Sequence, residues 1–221
     1  MTTPAPRFLL HPNVRTPGEG IWFGVPAGFV DLPLDALLAP QGSPRGEDSC
    51  RVLASFLAST PNEAIRHQFV VHLATAKQMF RSLCADRLVH CSLGLHRDDT
   101  GEDGRGALLS LFTIAWLDTA WAPRGVTAAR SVAQPEGHAY IEYAELSCGP
   151  ATFSESVRTP TSELGLSQEP LLQIHGHLPH PDGKSLVVLT LSTAALAYRE
   201  HYRAILRQIA ELFSFESPLA G

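Results

Sequence analysis

Residues 171–215 constrain the fold more than any other part of the chain. Leu171, Leu172 and Ile174 open an apolar strand, and Pro181-Asp182-Gly183-Lys184 forms a turn. Residues 185–192 return as a second apolar strand through Leu186, Val187, Val188, Leu189 and Leu191. Asp-Gly suits a tight hairpin, because Gly takes positive φ at no steric cost and Asp tolerates it. The hydrophobic period then changes from 2 to 3.6. Tyr198, Tyr202, Ile205, Ile209 and Leu212 fall on one helical stripe, with Arg199, Glu200, Arg203, Arg207 and Glu211 on the outer side. Ser192 or Thr193 is placed to cap that helix. The stretch predicts a sheet edge that turns into a core-facing helix lying back across the sheet.

Upstream, Thr60-Pro61-Asn62-Glu63 combines a capping box with Pro at the first helical position. The stripe of Ile65, Phe69, Leu73, Ala76, Phe80 and Leu83 behind it predicts a helix over 61–84. Asp48 opens a shorter helix carrying Val52, Leu53, Phe56 and Leu57, and residues 34–38 form a helical turn. Strands are expected at 21–25, 30–33, 88–95, 107–118, 140–146 and 151–158. Segment 107–118 is apolar on both sides and therefore central. Residues 123–126 read as a loop, and 128–133 fit neither period. The polar loops 40–47 and 97–105 are expected to be mobile, and 159–169 is a further loop. The organisation is a flexible N-terminal arm (1–20), a single α+β domain (21–216) and a C-terminal tail (217–221).

With 44% hydrophobic and 18% charged residues, a chain of 221 residues can bury one core and is not globally disordered. A net charge of −5, with Lys only at Lys77 and Lys184, gives no sign of a basic face, so no nucleic-acid partner is expected. No apolar run approaches about 18 residues and the N-terminus lacks an apolar signal region. The expectation is a cytoplasmic protein with no membrane insertion. Cys50, Cys84, Cys91 and Cys148 form no CxxC pair and read as reduced thiols.

The candidate metal ligands are His175, His177 and His180. Neutral imidazoles suit zinc or nickel, and spacing of two puts His175 and His177 on one strand face. Against a metal site, the segment leads to a hairpin tip where Asp182 is the sole carboxylate. His96-Arg97-Asp98 matches part of a kinase catalytic loop without its Asn, Gly-rich loop or Lys. The acidic stretch Asp98, Asp99, Glu102, Asp103 lacks the calcium-loop order. Cys148, with His138 ten residues earlier, permits a nucleophile–base pairing, one of several that four Cys and ten His allow, and there is no Gly-x-Ser-x-Gly. Gly18-x-Gly20 precedes a strand, so it makes no phosphate cradle. Trp22, Trp116 and Trp121 are read as core or sheet-face residues; an exposed one would act as an interface anchor.

Several features together resemble a known class. They are Trp22 to Gly28 in a Val-Pro-x-Gly-Phe setting, the long helix running into Leu93-Gly94-Leu95-His96, Glu145-Leu146-x-Cys148-Gly149-Pro150, and the closing apolar strand with its Ser-Thr and long helix. They resemble short, largely uncharacterised actinobacterial proteins of the Mog1/PsbP-like α/β/α sandwich class, over residues 20–216. The resemblance implies an antiparallel β-sheet sandwiched by α-helices and used to bind other proteins. In that class Mog1 binds a small GTPase and PsbP-like proteins attach to a photosystem complex. No motif in this chain transfers either partner. The expected function is a non-enzymatic protein-binding or accessory module with no cofactor and no catalytic residue. The alternative is a metal-dependent hydrolase using His175, His177 and His180.

Overall fold

The computed structural model describes residues 7–10, 20–32, 88–98, 106–133, 137–159 and 170–216. The helices expected over 48–59 and 61–84, the turn at 34–38, the loop at 40–47, and the C-terminal tail lie outside the described residues, as do most of the loops at 97–105 and 159–169. The strands are β1 (Arg7–Leu10), β2 (Trp22–Val25), β3 (Phe29–Asp31), β4 (Leu88–Asp98), β5 (Gly106–Asp118), β6 (His138–Leu146), β7 (Gly149–Arg158), β8 (Leu171–Pro179) and β9 (Ser185–Thr193). Helix α1 (Arg124–Ala133) joins β5 to β6. A 3-10 turn (Leu196–Tyr198) leads from β9 into α2 (Arg199–Glu211). Segment β1 lies inside the expected arm and pairs antiparallel with β2.

The main sheet has seven strands in the order β3-β4-β5-β9-β8-β7-β6, every neighbouring pair antiparallel. The β8–β9 hairpin forms as expected. Asp182 Oδ1 accepts the Lys184 and Ser185 N–H groups at 2.7 and 2.9 Å, and Gly183 takes φ 70°. Its place in the sheet differs from the expectation, however: β9 is the middle strand, paired with β5 along its other side. An edge was inferred because β5 is remote in sequence, and the period of a strand says nothing about its long-range neighbour.

Residues directly opposite one another share a face of the sheet. Phe112 and Ile114 of β5, Leu189 and Leu191 of β9, Leu172, Ile174 and Leu178 of β8, and Phe153 of β7 form one apolar face, all buried. Tyr202, Leu206, Ile209 and Ala210 of α2 close over it, with Phe23 of β2 and Phe213. The segment after α2 is tied to β2 by reciprocal Trp22–Ser214 backbone hydrogen bonds of 2.8 Å. No helix among the described residues is long and apolar enough to cross a membrane.

Three details of the helices correct the sequence reading. Thr193 does not cap α2; its hydroxyl donates to Leu109 O at 2.7 Å, and α2 starts at Arg199 without a side-chain cap. The arginines of α2 are not free in solvent but pair with carboxylates of the sheet while staying partly exposed. Arg203 Nε donates to Glu155 Oε2 at 2.6 Å, Arg199 Nη1 lies 3.4 Å from Glu155 Oε1, and Arg207 pairs with Glu142. Glu155 is 0% exposed, so these long side chains reach over the helix flank to a buried carboxylate. Finally, 124–133 is helical where a loop and an ambiguous segment were expected. The Val126 and Thr127 N–H groups bond to Pro123 O, and Thr127 and Ala128 are buried against β7 and β8.

Removing one partner of a buried ion pair leaves an uncompensated charge and costs about 3–5 kcal/mol. Because Arg199 remains beside Glu155, Arg203→Ala is expected at the low end, about 3 kcal/mol by urea unfolding. Glu200→Ala, which removes only the exposed partner of Arg203, should stay within about 0.5 kcal/mol. Equal stabilities for the two variants would remove Glu155 from the account of how α2 docks.

Candidate functional site

Over β6, β7 and β8 the face of the sheet opposite α2 carries imidazoles and hydroxyls where a core would carry methyl groups, while over β4 and β5 it carries Cys91, Leu93 and Leu109. The register places His138, Ser156, Gln173 and Ser192 opposite one another in one row, with Ser154, His175 and Thr190 in the next and Thr152 with His177 in a third. Ser154, Ser156, Gln173, Thr152 and His177 are all buried. Helix α1 covers the Thr152 end, where Thr152 Oγ1 donates to Ala128 O at 2.9 Å and lies 3.1 Å from Ser131 Oγ.

His138 joins this face through a bulge. Tyr140 stands opposite Glu155 on the α2 face, and regular alternation would put His138 there too. The register slips at Ala139, so His138 stands opposite Ser156. A bulge re-aims side chains in this way and is common beside functional sites.

Two hydrogen bonds hold the imidazoles: His175 Nδ1 to Thr190 Oγ1 at 3.0 Å, and His177 Nε2 to Ser154 Oγ at 3.4 Å. Both ring nitrogens of His138, His177 Nδ1 and Ser156 Oγ are buried without a hydrogen-bond partner. An unpaired buried polar atom costs about 1–3 kcal/mol, so these atoms together weigh against a domain stability of about 5–15 kcal/mol. Burial, reinforced by Arg158 and His138, pushes the His175 pKa down to about 4; burial, with His175 and His138, takes His177 down to about 3. Ser154 with His177 resembles a nucleophile–base pair. A base of such low pKa, with no carboxylate orienting its Nδ1, cannot withdraw the hydroxyl proton at neutral pH.

The three candidate metal ligands are not brought together. His175 and His177 share the polar face, with ring centroids 6.0 Å apart. His180 packs on the other side, its ring centroid 5.1 Å from Trp116 and 4.8 Å from Phe215, with Nδ1 3.2 Å from Asp182 Oδ2. Among the described residues no group of three His, Cys, Asp or Glu is arranged to hold a metal ion. His138 and Cys148 sit at opposite ends of β6, and burial raises the Cys148 thiol pKa. His96, Arg97 and Asp98 lie in β4, while Asp99, Glu102 and Asp103 lie outside the described residues. Gly18 is likewise outside, and Gly20 precedes β2.

A second feature is the outer edge of β6, the last strand of the sheet. Ile141 and Tyr143 are 53% and 54% exposed on the polar-face side, and the Tyr143 hydroxyl donates to Glu145. No Pro or Lys, the usual guards of an open edge, occurs between Tyr140 and Leu146. Trp121 was expected in the core or on a sheet face and instead is 68% exposed, its indole against Gly183. Trp22 and Trp116 are half-buried.

Fold and site thus define an α+β domain built on an antiparallel sheet, with an apolar face under α2; the opposite face is polar across β6–β8, partly under α1, and apolar across β4 and β5 through Cys91, Leu93 and Leu109. No protein-family model, no curated protein and no solved structure matches the chain.

The neutral imidazoles make stability depend on pH. An unfolded His protonates below about pH 6.5, whereas His175 and His177 in the fold stay neutral down to about 4 and about 3. Their contribution is complete above about pH 6.5 and is lost as pH falls towards 4, because the unfolded chain then binds more protons. Urea unfolding should weaken by about 2–3 kcal/mol per pH unit across that window. The double variant His175→Gln/His177→Gln should flatten the slope. An unchanged slope would show that these two imidazoles do not set it.

Proposed function

We propose that this protein is a non-enzymatic binding module of the Mog1/PsbP-like class, acting in the cytoplasm and taking an extended segment of a protein partner along the outer edge of β6. The observation that carries this reading is the outer edge of β6, unpaired among the described residues, with Ile141 and Tyr143 more than half exposed on it. An added strand satisfies the edge hydrogen-bonding groups, and side chains at alternate positions supply selectivity. The segment is apolar where it meets Ile141 and Tyr143 and basic near Glu145. An antiparallel sheet with α2 on one face and α1 on the other supports the class assignment. The unbridged thiols of Cys91 and Cys148 support a reducing compartment. The acidic net charge of −5 favours a protein partner over a nucleic acid.

The test compares the parent with Ile141→Lys/Tyr143→Lys in quantitative pull-downs from native lysate. Lys on an edge strand blocks strand addition without entering the core, so the melting temperature should be unchanged. A partner specific to the parent should be recovered about thirtyfold less well, corresponding to the roughly 2 kcal/mol of an anchoring aromatic. Equal recovery by both proteins would show that the partner docks elsewhere.

A further inference from the structure

We propose that His138, Ser156 and Arg158 form a binding site for a small oxyanion, a phosphate or carboxylate group, at the bulged end of β6 and β7. All three side chains belong to the polar face. His138 stands directly opposite Ser156, and Arg158 is two residues further along β7, on the same side of the sheet. Ser156 is 94% buried (6% exposed), and its Oγ has no hydrogen-bond partner. Neither ring nitrogen of His138 has one either. The set is a hydroxyl, an imidazole and a guanidinium, each with an N–H or O–H to donate, and the guanidinium fork matches the geometry of phosphate or carboxylate oxygens.

The charge distribution selects an anion. The carboxylates of Glu142 and Glu155 lie on the opposite face of the same strands, bound to the arginines of α2. Glu145, the carboxylate of β6 on the polar face, stands at the far end of that strand, opposite Pro150. Arg158 makes no ion pair with any described residue, unlike Arg199, Arg203 and Arg207. Among the described residues, a cation would meet no counter-charge in this row, whereas an oxyanion would meet the donors of Arg158, His138 and Ser156. The bulge at Ala139 supplies a second, independent geometric reason: it costs a regular pairing and turns His138 away from α2 towards Ser156. Further along the face, His177 Nδ1 is also unpartnered. It stands opposite Thr152, six residues and so about 20 Å along β7 from Arg158, and lies outside the anion site.

The probe is inorganic phosphate, followed through the imidazole proton signals of the whole protein by NMR against chloride at matched ionic strength. Phosphate should shift the His138 signals saturably. Arg158→Gln and Ser156→Ala should each weaken binding about tenfold or more, the loss expected for a charge-assisted hydrogen bond. Arg158 is exposed, so Arg158→Gln should melt like the parent and keeps the test meaningful if Ser156→Ala is unstable. Arg130→Gln, on the exposed side of α1, should bind as the parent does. Glycerol 3-phosphate binding about tenfold more tightly than phosphate would identify the group as part of an organic ligand. Equal affinities would identify the free ion, and either result supports the site. A His138 response no larger than that to chloride, or an unchanged affinity in Arg158→Gln, would overturn it.

Discussion

A carboxylate with no exposed surface, Glu155, sets the arrangement of the apolar half of this domain. Desolvating such a group is tolerable only with cations and hydrogen bonds in place. Both cations come from α2, Arg203 at 2.6 Å and Arg199 at 3.4 Å. The requirement fixes how the helix is rolled. Arg199, Arg203 and Arg207 are spaced four apart and face β7 and β6, and that roll brings Leu206, Ile209 and Ala210 down onto β8 and β9. Tyr140 completes the arrangement, lying 4.1 Å beneath the Arg203 guanidinium and donating its hydroxyl to Glu142 at 2.7 Å. That hydroxyl, then Arg207 against the opposing effect of burial, keeps the Glu142 carboxyl below its ordinary pKa range. The edge strand is thereby held to the helix by charge as well as to β7 by its ladder.

Gathering the carboxylates of β6 and β7 mainly under α2 has a consequence on the opposite face. There the same two strands present His138, Ser154, Ser156 and Thr152, and the bond inventory is uneven. Thr152 is satisfied by α1 and His175 by Thr190, whereas His138 and Ser156 beside the bulge have no hydrogen-bond partner. Apolar residues of similar size would pack there without the cost of unpaired polar atoms. Three of the four unpartnered buried atoms on this part of the face belong to the His138–Ser156 corner, and the fourth is His177 Nδ1.

The sequence makes periodic features legible and leaves relational ones hidden. The β8–β9 hairpin and α2 follow directly from a period-2 run, an Asp-Gly turn and a 3.6-residue stripe. The shared face of His175 and His177 follows from their spacing alone. The same rule separates His180, three residues from His177 and therefore on the other side, next to Trp116 and Phe215. Helix α1 escapes because Gly125, Val126 and Thr127 are weak helix formers and only Thr127 and Ala128 are buried, too few to make a stripe. Arginines on a helix read as solvated until a buried carboxylate on a distant strand is known, and Glu155 is 48 residues from Arg203. The place of His138 is hidden most completely, because a bulge leaves no mark on the hydrophobic period.

That bulge also bears on the edge. Extra residues in an edge strand sharpen its twist and interrupt pairing, one of the devices that keep open edges from unrestricted association. In β6 the interruption falls at Ala139, so the regular edge runs only from Tyr140 to Leu146, ending at the Ser147–Cys148 turn. On the proposed reading an incoming strand would have a defined start and stop there, with its register set by Ile141 and Tyr143, which stand opposite Ser154 and Thr152 across the β6–β7 ladder. A partner strand on β6 would therefore lie beside the hydroxyl rows without covering the His138–Ser156 corner, which belongs to the far side of the bulge. One irregular residue thus bounds the regular edge of β6 and sets it apart from the polar corner.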